Sequence, residues 1–332
     1  MTVVTPTTSP MHLPPGEGSL TEPVPPGTAA PIGAYRRSLQ SGRVLVGGGI
    51  LLAVIFICVA TLPFTLSERS GLHYNGQNAE LNRLAPTAEL ARWFGTDALG
   101  RSLLGRCLMG GAISLAIGVL AATLSVFLGV AVGLIAGYRG GWVDSLLMRI
   151  VDVLYGLPYL LLVILFKIAL EPAVAAQTGS PGVANFIVLI CAIGAVSWLT
   201  MARVVRGQVL SLRSQPFIEA CKAAGLPERR IFIRHLLPNL IGPITVYATL
   251  IVPSAILNES FLSFLGIGIQ PPVPTWGALA SEGLLPALNP ENHRWWMLVF
   301  PCVLLAVTLL CLNFVGDGLR DVFDPKRDAA KL

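Results

Sequence analysis

The sequence predicts an all-α integral membrane protein with six transmembrane helices, cytoplasmic termini and a cytoplasmic helix-turn-helix loop between the fourth and fifth helices. Three observations lead there. Asp, Glu, Lys and Arg make up 12% of the 332 residues, about half of the ~25% found in an ordinary soluble domain, which argues against a soluble enzyme. Apolar residues reach 54% and gather in runs long enough, at 1.5 Å per helical residue, to cross a hydrocarbon core ~30 Å thick. Lys and Arg, finally, divide unequally between the two sides that these runs define.

The elements follow in order. Residues 1–35 hold eight prolines, no Lys or Arg, and only Glu17 and Glu22 as charged side chains. A segment so poor in apolar residues has no core to bury and reads as a disordered cytoplasmic tail. Arg36, Arg37 and Arg43 then precede the run VLVGGGILLAVIFICVATLPF at 44–64. It is too long for the apolar region of a cleaved signal, so 36–66 is assigned to a retained first transmembrane helix. Residues 67–111 form an extracytoplasmic loop, 112–316 a five-helix core, and 317–332 a cytoplasmic tail. Within the core the spans run about 112–137, 145–170, 184–205, 241–266 and 295–316.

Six helices put both termini on one side. With Arg149 and Lys167 set aside as intramembrane, that side carries 15 Lys and Arg against 6 on the other. The positive-inside rule makes it the cytoplasm. The net charge of +5 is then the excess of the inner face, with no call for a nucleic-acid partner. Of six cysteines, Cys58, Cys191, Cys302 and Cys311 sit in apolar runs and Cys221 in a basic loop, a placement that implies no disulfide framework. Four scattered histidines and the lack of C-x-x-C spacing predict no metal site.

Few charges enter the spans. Arg149 and Asp152, three apart in the third run, are placed to pair, as are Lys167 and Glu171, four apart. Glu259, beside Asn258, is the one carboxylate well inside a run without a cation near it in sequence. Asp152, Asn258 and Glu259 are the candidate pore or packing polar residues; an intramembrane carboxylate can serve transport or merely a helix contact. Gly129, Gly133 and Gly137 recur every four residues, spacing that lets a second helix approach closely without naming it.

The loop 206–240 is too long for a connector. Pro216 can open a helix whose Phe217, Ala220, Cys221 and Ala224 make an apolar stripe, and Gly225 stands where a left-handed cap is wanted. Pro227 and Glu228 can start a second helix, ERRIFIRHLL, which Pro238 ends. Glu219, Lys222, Arg229, Arg230 and Arg234 fall on the polar side. Such a pair can rest on anionic lipid or dock a soluble partner.

Here the residues resemble a known pattern. Glu219-Ala220-Cys221, three residues, Gly225, nine residues, then His235-Leu236-Leu237-Pro238 matches the spacing of the EAA loop of ABC-importer permeases. Cys221 replaces an alanine and His235 an isoleucine of the general pattern. Four more stretches, FGTDALGRSLLGR (94–106), DVLYGLPYLLL (152–162), ESFLSFLGIGIQPPVPTWG (259–277) and NFVGDGLRDVFDPKR (313–327), are similar to the C-type permease subunit of the dipeptide/oligopeptide/nickel group. Ser102 stands where that group usually has Asp.

The resemblance implies half of a heterodimeric pore in a bacterial inner membrane, paired with a B-type permease. Two cytoplasmic ATPase subunits and an extracytoplasmic substrate-binding protein complete the complex. Ala220 and Cys221 would allow close docking on the ATPase, Gly225 the turn, Glu219 polar contacts, and His235, Leu237 and Pro238 the rest of the motif. ATP and magnesium belong to the partner subunits; the chain has no Gly-Lys dipeptide and so no phosphate loop. The implied cargo is di- or oligopeptide, with nickel or another small solute as the alternative. An ion-coupled secondary transporter is the competing mechanism, and it would want more intramembrane carboxylates. An intramembrane enzyme finds no support, since H-E-x-x-H and G-x-S-x-G are absent.

Overall fold

In a computed structural model, which describes residues 42–291 and 293–323, six helices are long and apolar enough to cross a membrane. The expected tail at 1–35 and the chain past 323 lie outside the described residues. The first span is α1 (Gly42–Ala60) and α2 (Leu62–Leu66), separated at Thr61 just before Pro63. A folded segment, 67–102, leads to α3 (Leu103–Arg139), which at 37 residues reaches about 55 Å, longer than a hydrocarbon core of ~30 Å requires. Ser102 starts it, its hydroxyl accepting the Gly105 N–H at 3.3 Å. The segment before this helix is therefore shorter than the expected loop 67–111, because a serine cap opens the helix at Leu103.

The third apolar run is not one helix. Residues 145–170 divide into α4 (Gly141–Tyr155) and α5 (Tyr159–Thr178), with the break at Gly156-Leu157-Pro158. Pro158 disfavours helical backbone at Leu157 and cannot donate a hydrogen bond, which hydropathy alone does not register. Gly179, left-handed at φ +65°, turns the chain into α6 (Pro181–Arg213). Next come α7 (Pro216–Ala223), α8 (Glu228–Ile231), a π turn (Phe232–Leu236) and α9 (Leu237–Phe264). An irregular segment then leads to α10 (Trp276–Leu288) and to α11 (Trp296–Phe323). The helix α11 runs past 317, where a tail was expected to begin, since nothing in NFVGDGLRDVF breaks it.

The most extensive helix pairing is α3 with α6. Gly129, Gly133 and Gly137 form its seam: a Cβ on them would come within 2.5–2.8 Å of Met201, Val205 and Val209. The partner that the glycine spacing left unnamed is therefore α6. Arg213 locks the inner end, donating to the Gly137 carbonyl at 3.3 Å and the Tyr138 carbonyl at 3.0 Å. These are terminal carbonyls of α3, which a cation suits.

At the end of α3 that joins the 67–102 segment, Arg101 and Arg106 are structural. Asp97 accepts from Arg101 Nε at 2.6 Å and from Arg106 Nη1 at 2.7 Å, and Arg106 also grips Glu282 of α10. Arg106 is 1% exposed, so the 67–102 segment, α3 and α10 are joined by buried charge. Trp296 Nε1 donates to the Thr96 carbonyl at 3.4 Å and Trp276 Nε1 to the Cys107 carbonyl at 3.0 Å, and Phe94 stacks on Phe300. Lys167 lies 4.0 Å from Glu171, as its spacing suggests, and also donates to the Ile267 and Gly268 carbonyls beyond α9.

Candidate functional site

Of the helix-turn-helix segment expected at 206–240, the first residues belong to α6, which continues to Arg213, and the second arm merges into α9. Pro216 occupies the first turn of α7. At its end the Leu226 N–H bonds the Cys221 carbonyl at 3.1 Å and the Gly225 N–H the Lys222 carbonyl at 2.9 Å, with Gly225 at φ +70°. This is a Schellman cap, for which a left-handed residue is needed at the Gly225 position. Ile218 is fully buried and Cys221 half-buried, while Phe217, Ala220 and Ala224 are exposed. Three of the four residues of the stripe read from the sequence thus face outward, while the fourth, Cys221, packs inward with Ile218 against Tyr138, Val209 and Ile231. Glu219, Lys222, Arg229, Arg230 and Arg234 are all exposed.

Pro238 does not end the second helix, contrary to the sequence expectation. The Leu237 N–H reaches back five residues to the Phe232 carbonyl. That wider turn loosens the ladder just where the proline ring would strike the carbonyl four residues earlier. Asn239 Nδ2 donates to the His235 carbonyl at 2.6 Å. His235 and Leu237 are half-buried and Pro238 is exposed.

The loop connects to the bundle through charge as well as packing. Arg206 forms a two-point ion pair with Asp144 at 2.5 and 2.6 Å. Arg203 Nη2 holds Asp152 at 2.8 Å while its guanidinium lies 4.0 Å from the centre of the Tyr155 ring. Asp152 therefore pairs with Arg203 across the bundle and not with Arg149 on its own helix. These contacts clamp α4 to the inner half of α6, the helix that runs straight into the loop.

Above the clamp lies a cavity of about 510 Å³ between the α4–α5 break, α6 and α9. Its polar lining is Tyr155, Tyr159, Ser197, Thr200, Tyr247, Ser254 and Asn258. Tyr159 Oη and Ser197 Oγ are 3.3 Å apart. Glu259, one residue beyond Asn258, turns the other way. It is fully buried, accepting from Ser263 Oγ at 2.8 Å and from Ser260 Oγ at 3.3 Å.

The candidate residues thus fall in three places: Glu219, Ala220, Cys221, Gly225, His235, Leu237 and Pro238 at the inner face, Asp152 in the clamp with Asn258 above it, and Glu259 in a separate hydroxyl cage. Sequence reasoning missed Asp144, Arg203 and Arg206 as partners, and it missed the tyrosines and hydroxyls of the cavity. Asp144 and Arg206 are 62 residues apart, beyond any local spacing rule. The break at Leu157-Pro158 was the one available signal that a wall forms there.

A family model described as binding-protein-dependent transport system inner membrane component matches residues 129–329. The oligopeptide transport system permease protein OppC of Haemophilus influenzae is 43% identical over 88% of this chain and 87% of its own length. The dipeptide transport system permease protein DppC of Bacillus subtilis is 42% identical over 88% and 85%. The glutathione transport system permease protein GsiD of Pectobacterium atrosepticum is 36% identical over 88% and 90%. Among solved structures, the inward-facing MetNI methionine ABC transporter aligns with TM-score 0.51 at 19% identity, covering 65% of this chain and 96% of that one, a likeness of fold alone. By sequence the chain belongs to the family of inner-membrane components of binding-protein-dependent transport systems.

Proposed function

We propose that this chain is one permease subunit of an ATP-driven peptide importer, working beside a B-type permease above two ATPase subunits that hold ATP and magnesium, with cargo delivered by an extracytoplasmic binding protein. The observation that carries the reading is α7. It is a short helix held by a glycine cap on buried Ile218, presenting Glu219 and Ala220 outward at the inner end of the α3–α6 pair. Its relatives are named for oligopeptide, dipeptide and glutathione transport, which supports a peptide substrate.

The geometry suits transmission of a push. Movement of α7 loads Ile218, Leu226 and Ile231 against Tyr138 and Val209. The glycine seam and the Arg213 cap then carry α3 and α6 together. Arg203 and Arg206 draw α4 along, and the end of α4 is a wall of the cavity.

Three measurements test this reading. Reconstituted with its partners, the complex should import peptide on ATP and ignore a proton ionophore, while the purified chain alone hydrolyses no ATP. Uptake that collapses with the ionophore would replace the ATP-driven mechanism. Glu259→Gln keeps the side-chain volume and most hydrogen bonding to Ser260 and Ser263, so uptake should stay within about twofold; abolished uptake in a normally inserted protein would make Glu259 a proton carrier. With both termini and the loop in the cytoplasm, a cysteine placed at Arg229 should resist an impermeant reagent added to intact cells. Labelling there would invert the topology.

A further inference from the structure

The geometry points to the cavity between the α4–α5 break, α6 and α9 as this subunit's half of the passage, with a wall that reads the peptide backbone through neutral groups and is blind to side-chain charge. This rests on the peptide-importer reading above and names the chemistry of contact within it.

Size and lining agree. A volume of about 510 Å³ lies within the 300–1,000 Å³ typical of small-molecule sites. Tyr159, Ser197, Thr200, Tyr247, Ser254 and Asn258 offer hydroxyls and an amide, each able both to donate and to accept. A peptide amide presents one N–H and one C=O at every residue, so two-way partners fit a backbone in any register. The apolar remainder, including Leu154, Leu162 and Ile251, offers no fixed site that would retain one side chain.

Formal charge is kept off this wall. Among the described residues, no Asp, Glu, Lys or Arg lines the cavity. The nearest ion pair, Arg203 with Asp152, is internally balanced, and its cation lies over the Tyr155 ring. The carboxylate on α9 is more telling. Successive helical residues point about 100° apart, so placing Asn258 in the wall sends Glu259 out of it, into the hydroxyl cage where it is 0% exposed. Polar side chains at membrane depth are costly when they face lipid. Thr200 and Ser254 are nonetheless exposed and Tyr247 is 36% exposed in the isolated chain, as suits a surface opposed by water or by the second permease.

The test installs charge in the wall. The full complex is reconstituted in proteoliposomes with saturating binding protein and ATP, and initial uptake of Ala-Lys-Ala and Ala-Glu-Ala is compared. The wild-type ratio should lie near unity. Asn258→Asp should raise the Lys-to-Glu ratio about fivefold or more and Asn258→Lys should lower it by as much, since unit charges in a confined site act strongly. Because substitution at Asn258 can also disturb packing, Thr200→Cys provides a second route. After assembly it is modified with a cationic or an anionic thiosulfonate, with the same reagents on the unsubstituted chain as control, and the ratio should shift in opposite directions. If both routes change the two peptides by equal factors, or a strong charge preference already exists in the wild type, the neutral-wall proposal fails while peptide import stands. If the wild-type complex imports neither peptide on ATP, the peptide-importer reading fails and this inference with it.

Discussion

Gly225→Val should leave the chain normally inserted and reduce ATP-driven uptake by about tenfold or more. Gly225 is left-handed at φ +70°, a region that costs a residue with a Cβ roughly 1–2 kcal/mol and suits a β-branched residue worst. Apart from its chain neighbours, no described residue lies within 4 Å of where its Cβ would be, so no neighbouring packing among them holds the turn closed against that strain. The paired bonds from Leu226 to Cys221 and from Gly225 to Lys222 are then lost, and α7 leaves its angle. The same open space is where a docked ATPase would sit, so the added bulk also meets the partner. Asn tolerates left-handed backbone, so Gly225→Asn should retain more ATPase coupling than Val and thereby separate turn strain from bulk. Uptake and peptide-stimulated ATP hydrolysis in reconstituted complexes decide it; wild-type values in the Val variant would remove the loop from the mechanism.

Arg106→Leu should destabilise the purified chain by about 3 kcal/mol, the low end of what removing one partner of a buried ion pair costs. The low end applies because Asp97 keeps Arg101 at 2.6 Å and the Glu282 side chain is 34% exposed. The loss should appear as an earlier unfolding transition in detergent, preceded by proteolytic cutting in 67–102, whose Asp97 loses its bridge to α3 and keeps only the longer route to α10 through Arg101. Arg101→Leu should cost less, since Arg101 reaches Glu282 only at 3.6 Å. Equal and unchanged midpoints for both variants would show that this buried charge contributes little to holding the outer segment.

The sequence made the spans legible because length and apolar content are what a bilayer demands, and Pro216 and Gly225 made α7 and its cap legible because both are fixed by local backbone rules. Local rules also explain the misses. Arg149 and Asp152 have the spacing of a helical pair, yet Arg203, 51 residues away, takes the carboxylate once α6 packs alongside. The run 145–170 reads as one span, but a single X-Pro step divides it. Phe217, Ala220 and Ala224 form a helical stripe, and the period alone does not tell an inward face from one left for a partner. The cavity wall, made of ordinary tyrosines and hydroxyls on three separate elements, carries no motif at all.

The π turn at Phe232–Leu236 sets the phase between the inner arm and the wall-bearing helix. Forcing those residues into regular α spacing, with none removed, would rotate one side against the other by about 100°. Because α9 is held along its length by α3, α6 and α11, the arm would be the side to turn. Ile231 would swing out of its buried seat, and the face bearing Arg229 and Arg230 would be presented a quarter-turn from its present bearing. This one wide turn therefore works like the keyed shaft of a gear, fixing the orientation at which the loop engages whatever lies beneath it.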